Sequence, residues 1–403
     1  MANLELKEVS KLYPSGTLAL YKANLTLGDS EFIAVVGGEK SGKSTFLRLI
    51  AGLEDVTEGQ INVGGKDVTQ VESRERDIAM IFQGNTLYPT LTVFDNMAYG
   101  LQLRKAPRAL IEQRVKAASA ILGLDEVLYR KPKVLTTEQK QEVAFGRAIA
   151  REPKLYLFDD PIAGITQEAR ARLRSVLINL QMRVKGTFIY ATKNVNEALT
   201  MATRIIVMRD GFIQQIDTPA NLYEYPANAF VAFTIGSPTV NFINGKIVKD
   251  GGVFVEAQGV RFALPENIVS RFTTLDEYAG TDKKVILGIR PEDMGVGENA
   301  LFEATVAASQ KIGETGYAEC DFKDISVLVK ADGLKKGDKA GITADLTHAF
   351  IFDGETRLTL LERDGGYIKT DYTDADFKPL AFEEEEQIKE KLRLPDGGKK
   401  KKK

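Results

Sequence analysis

From residue 1 to about 235, short β-rich apolar runs alternate with stretches whose apolar positions recur every three or four residues. That pattern predicts an α/β domain. "EFIAVVG" (31–37) and "KLYLFDD" (154–160) are apolar almost throughout and predict strands buried on both faces. Each ends in residues able to meet phosphate or metal. "TFLRLIAGL" (45–53) carries helical spacing, and so does "ALIEQRVKAASAILGL" (109–124), which closes on the stop signal Gly123. After "TIGSPTVNF" the character changes. Residues 240 to about 362 are short strands separated by Gly, Asp and Lys turns, as in "NGKIVKDGGVFVEAQGVRFALP" and "KVILGIRPED". They predict a small all-β, barrel-like second domain. From about 366 the apolar pattern is lost: "EEEEQIKEKLRL" predicts one short helix, and "PDGGKKKKK" a disordered, solvated tail. The expected boundaries are 1–235, 236–365 and 366–403.

Composition narrows this picture. At 403 residues the chain exceeds one hydrophobic core, in keeping with two domains. Lys and Arg number 54 against 56 Asp and Glu, so no global field recruits nucleic acid. The charged start "MANLELKEVS" lacks the apolar core of a signal peptide, and no run of about 18 apolar residues is long enough to span a membrane. The single cysteine, Cys320, excludes an internal disulfide, fits a reducing cytosol, and is expected to be buried. The single histidine, His348, has no second metal ligand near it and is expected near a strand end; histidine chemistry elsewhere in the chain is excluded.

The strongest chemical signal is "GGEKSGKST", Gly37, Gly38, Glu39, Lys40, Ser41, Gly42, Lys43, Ser44 and Thr45, which fits G-x-x-x-x-G-K-[ST] between a strand and a helix. Gly37 and Gly42 allow backbone N–H groups to close around phosphate oxygens, and the following helix points its positive end at the same anion. Lys43 is expected on the β- and γ-phosphates and Ser44 on Mg2+. Mg-ATP is therefore the expected ligand.

With this loop, "RDIAMIFQGNTLYPTLTVFDNMAYGL", "REPKLYLFDDP", "DGFIQQIDTP" and "LGIRPED" together make the chain resemble ABC-transporter ATP-binding subunits, specifically those serving sugar and glycerol-3-phosphate importers. The likeness runs from residue 1 to about 362. It implies that Tyr13 stacks on adenine, that Gln83 approaches Mg2+, and that Asp159 holds Mg2+ through water. It implies that "GNTLYPTLTVFDN" receives a short helix from transmembrane permease subunits on the cytoplasmic face of the membrane. It also implies that an extracellular substrate-binding protein feeds those permeases, and that residues 236–365 form an OB-like regulatory domain.

The resemblance breaks at four places. Where such subunits carry L-S-G-G-Q, used across a dimer on the partner's nucleotide, this chain has Leu135-Thr136-Thr137-Glu138-Gln139. Thr137 and Glu138 add bulk, and Glu138 adds a charge. Two like charges at ~4 Å would repel by about 4 kcal/mol at an effective dielectric near 20. The same residues make a T-x-x-Q capping box, so both descriptions can hold together. Asp160 stands where the catalytic glutamate belongs, its carboxylate withdrawn by one methylene. Lys193 occupies the histidine position, from which a pairing with Asp160 is open to it. Thr166 replaces an aspartate that touches the partner's phosphate loop. These changes predict ATP binding with impaired hydrolysis, in a pair with a second, motif-complete ATP-binding subunit. An active ATPase tolerating the changes and a non-catalytic, ATP-dependent regulator are the alternatives.

Overall fold

The computed structural model describes residues 4–362 except 83, 85, 86 and 273. The predicted acidic helix and lysine tail lie outside the described residues. The chain forms two compact units, one ending at Pro219 and the other beginning at Ala220.

The first unit opens with an antiparallel hairpin, β1 (Leu4–Leu12) and β2 (Leu18–Leu27), followed by β3 (Phe32–Val36), whose five residues are all buried. Helix α1 (Lys43–Ala51) starts on Gly42 and stops on Gly52 at φ 71°, a left-handed conformation that suits glycine. β4 (Glu58–Val63) and β5 (Lys66–Asp67) complete a four-stranded sheet in the order β2-β1-β4-β5. Then come β6 (Ile78–Ile81), α2 (Val93–Leu103), α3 (Arg108–Leu122) and α4 (Thr137–Arg151). α3 ends on Gly123 at φ 68°, as the stop signal predicts. β7 (Leu155–Asp159), α5 (Gln167–Val184), β8 (Thr187–Thr192), α6 (Val195–Met201), β9 (Arg204–Arg209) and β10 (Phe212–Asp217) finish the unit.

β3, β6, β7, β8 and β9 are parallel neighbours, with β10 antiparallel on the edge, in the order β10-β9-β3-β8-β7-β6. One face packs Phe46, Leu47, Leu49 and Ile50 of α1 together with Leu4, Leu6 and Leu25 of the antiparallel sheet. The other packs Tyr156, Phe158 and Phe188 against Val143, Phe145 and Leu177 of α4 and α5. Because both faces are covered, β3, β7 and β8 are buried at every position rather than alternating. Register then fixes function: Val36 pairs with Thr192, and Asp159 with Ala191. Gly37, Asp160 and Lys193 therefore emerge side by side at the carboxyl ends of adjacent parallel strands, the edge where open α/β sheets bind ligands.

The second unit contains two five-stranded antiparallel sheets that share one core. Leu264, Phe262, Val255 and Ile243 of one meet Phe302, Val306 and Val327 of the other. Cys320 is fully buried in that core, and burial pushes its thiol pKa up. The expected boundary at 235 falls later than the observed division. Residues 220–235 belong with the second unit because Arg290 donates to the Tyr223 and Ile235 carbonyls and the Ala229 N–H donates to the Arg357 carbonyl. His348 lies two residues before the strand Phe350–Asp353.

Candidate nucleotide-binding site

The loop after β3 is shaped by what its glycines exclude. A Cβ on Gly37 would sit 2.3 Å from the Met208 carbonyl oxygen and 2.6 Å from Ser41 Oγ. Gly42 has φ 103°, and its Cβ would lie 2.3 Å from the Ala19 carbonyl oxygen. Both clashes involve backbone that cannot swing aside. Lys40 also adopts a positive φ, 61°.

Lys43 is buried against this loop. Its ammonium donates to the Gly37 carbonyl at 2.9 Å, the Gly38 carbonyl at 2.6 Å and Ser41 Oγ at 3.1 Å. Burial, then the nearby Lys193 charge, lower its pKa, against the opposing pull of Asp160 and Asp159. An ammonium desolvated in this way is primed for an incoming anion. One residue on, Ser44 Oγ donates to Asp159 Oδ1 at 2.8 Å. A hydroxyl and a nearly buried carboxylate, brought together from α1 and the end of β7, are a hard oxygen donor set of the kind Mg2+ takes. The residues fit the ion. Tyr13 Oη lies 3.3 Å from Thr45 Oγ1, so the predicted adenine-stacking ring borders the same helix start. Gln83 lies outside the described residues.

Asp160 has φ 46° and donates its N–H to the Ala191 carbonyl. Burial is the main cause of a raised carboxyl pKa, with the Glu197 charge next and Lys193 opposing. Its carboxylate has no ion-pair or hydrogen-bond partner among the described residues. The pairing with Lys193 open to it in the sequence is not formed. Lys193 Nζ instead donates to Glu39 Oε1 at 2.7 Å. β8 lies between β3 and β7, so Lys193 leaves the sheet flanked by the phosphate loop and Asp160, and its ammonium takes the loop's carboxylate. This pair depresses the Glu39 pKa and raises that of Lys193.

Sequence inspection also missed Glu197, which is buried on α6. It accepts from Tyr190 Oη at 3.0 Å and Thr192 Oγ1 at 2.9 Å, with Arg170 at 3.7 Å. The Asn194-x-x-Glu197 spacing at a helix start was the one local signal. Asn194 caps α6 through the N–H groups of Asn196 and Glu197.

The altered signature segment opens α4. Thr136 Oγ1 accepts from the Gln139 N–H at 3.2 Å and Gln139 Oε1 accepts from the Thr136 N–H at 3.1 Å, so the capping box is formed. The backbone N–H of Glu138 and, secondarily, the nearby Thr136 hydroxyl hold its carboxyl pKa below the usual value. The helix start thus carries its own anion. Thr166 caps α5, accepting from the Ala169 N–H at 3.4 Å.

Residues 20–163 match the ABC transporter family, and residues 236–294 match the MalK OB fold domain. The chain is 40% identical over 370 residues to the oligosaccharides import ATP-binding protein MsmX of Bacillus subtilis, covering 89% of this chain and all of that protein. It is 36% identical to the sn-glycerol-3-phosphate import ATP-binding protein UgpC of Psychromonas ingrahamii, covering 88% of this chain and 95% of that one. Among solved structures, CbiO1 of Clostridium perfringens, part of the ABC transporter complex CbiONQ, shares the fold with TM-score 0.51 at 24% identity, over 55% of this chain and 90% of that one. With a phosphate loop at a parallel strand end, a match to the MalK OB fold later in the sequence and relatives matched along nearly their whole length, the chain belongs to the ATP-binding proteins of ABC transporters.

Proposed function

We propose that this chain is the ATP-binding subunit of a carbohydrate-type importer, taking up oligosaccharides, sugars or glycerol phosphates, that holds Mg-ATP firmly and hydrolyses it slowly. The observation that carries the proposal is the contrast within one strand-end row. Lys43, Ser44 and Asp159 are assembled for a bound triphosphate, whereas Asp160 is short and Lys193 is tied to Glu39. The Gly37–Thr45 loop would surround the phosphates and Tyr13 the adenine. Mg2+, held by Ser44 and Asp159 with Gln83, would supply charge neutralisation at the β- and γ-phosphates. Asp160 would be the acceptor of a water proton. One methylene shorter than glutamate, it sits back from the phosphate, and a ~1 Å misplacement can cost about 10²-fold in rate. Lys193 contributes a point charge where an imidazole would be oriented.

The subunit would dock transmembrane permeases at the cytoplasmic face, through the groove lined by Met80, Phe82, Tyr99 and Arg147. Phe82 in its wall and Tyr88 beside it are about two-fifths exposed, large for aromatic rings. An extracellular substrate-binding protein would act indirectly, through the permeases. Thr136–Gln139 and Thr166, each engaged in capping its own helix, would be poor contacts for a partner's nucleotide. A second, motif-complete ATP-binding subunit is the partner this favours. The test is phosphate release by purified chain against the double variant Asp160→Glu/Lys193→His. Slow release by the parent and at least a tenfold gain in the variant support the proposal. Release by the parent as fast as the variant's defeats it.

A further inference from the structure

The second unit holds a cavity of about 520 Å³ that the nucleotide chemistry does not use. Arg290 forms part of its wall and is only 2% exposed. Its guanidinium carbon lies 3.4 Å from the centre of the Tyr223 ring and 5.1 Å from that of Phe350. Nη2 donates to the Tyr223 carbonyl at 2.6 Å, Nη1 reaches the Ile235 carbonyl at 3.5 Å, and Nε has no acceptor. No carboxylate of the described residues lies within ion-pair distance of this buried cation. A second arginine, Arg271, lines the cavity 5.1 Å from the Tyr225 ring. Glu292 and Asp293 also face the cavity; the Tyr223 hydroxyl donates to Glu292, and Asp293 is half-buried.

We propose that this cavity binds a small phosphorylated polyol. A buried guanidinium lacking a counter-ion, with a second nearby, suits a phosphate monoester, because the fork geometry matches its oxygens and desolvation strengthens the contact. A bare phosphate would leave most of the space unfilled and would face Glu292 and Asp293. A hydroxylated body on the phosphate turns those carboxylates into acceptors for its O–H groups, with Asn267 and His348 as further partners. The Tyr223, Tyr225 and Phe350 rings supply apolar faces for its C–H surface. The volume is that of ordinary small-molecule pockets, about 300–1,000 Å³. This inference is independent of how fast the chain hydrolyses ATP.

The test is calorimetric titration of the full chain with glycerol 3-phosphate and glucose 6-phosphate, against inorganic phosphate and glucose, all at saturating Mg-ATP so that the phosphate loop is filled. Saturable binding of at least one ester is expected, tenfold or more tighter than phosphate or glucose. It should weaken at least tenfold in Arg290→Lys, which keeps the charge and loses the fork, and in Arg271→Gln. Should Arg290→Lys fail to fold, Arg271→Gln and Asn267→Leu carry the test. Mg-ATP affinity should stay at the parent value in the folded variants. The proposal is overturned by no ester binding at millimolar concentration, by phosphate binding as tightly as the esters, or by affinity undiminished in the variants.

Discussion

Substituting alanine at two glycines of the same loop should give opposite results. At Gly42 the new Cβ would lie 2.3 Å from the Ala19 carbonyl oxygen, so loop or hairpin must move by ~1 Å to reach ordinary contact. The backbone there, at φ 103°, is one that alanine resists at a cost of about 1–3 kcal/mol. In a domain of this size each kcal/mol lowers the melting temperature by about 2–4 °C. Gly42→Ala should therefore melt about 2–12 °C lower. Since Gly42 is also the residue from which α1 and Lys43 spring, a shift of this size displaces Lys43 and Ser44 together. Mg-ATP affinity should fall at least about tenfold, which is about 1.4 kcal/mol. Gly38 has no positive φ, and a Cβ there meets nothing within 4 Å. Gly38→Ala should match the parent in melting temperature. Dye-monitored melting and calorimetric titration would read both quantities. Gly42→Ala melting and binding like the parent, or Gly38→Ala melting equally low, would refute the reasoning.

Other expectations follow from single groups. The Asp160 carboxyl holds its proton more tightly folded than unfolded, so its contribution to stability falls as pH rises from the ordinary 3.8 through the raised value. Asp160→Asn should raise the melting temperature at neutral pH, with the gain shrinking under acid; a pH-independent difference in melts would contradict this. Thr136→Ala removes an N-cap and should cost about 1 kcal/mol in urea unfolding, whereas Thr136→Ser should be nearly silent. Glu197→Ala strands the Tyr190 and Thr192 hydroxyls and should cost about 3 kcal/mol, with Glu197→Gln clearly milder. Equal urea midpoints for the two Glu197 variants would show that the carboxylate's acceptors matter less than its geometry implies.

Much of the site was legible because its parts are local. The β3–loop–α1 unit is one continuous segment, and the apolar runs ending in Gly37 and Asp159 announced both strand ends. The Thr136/Gln139 cap is likewise a four-residue pattern. Contacts set by strand order were not legible. Glu39 and Lys193 are 154 positions apart and meet only because β8 inserts between β3 and β7. Glu197 owes its burial to nearer contacts, with Tyr190 and Thr192 seven and five positions before it on β8, which show only once the turn from β8 into α6 is built. The antiparallel sheet over α1 was also missed as a separate layer, for its strands carry register shifts that blur the alternation. Around the division between the units, the helices Pro219–Glu224 and Ala229–Thr234 are six residues each, too short for periodicity to assign them to either domain.

The sealed position of Cys320 has a practical corollary. A chain with one thiol, wholly shut inside a β core, and no tryptophan is a silent background for reporters. A cysteine introduced beside the phosphate loop would take a spin label or fluorophore alone, and an introduced tryptophan would emit alone. The distance between two labelled copies, or between this chain and any companion, becomes measurable without first stripping native groups away.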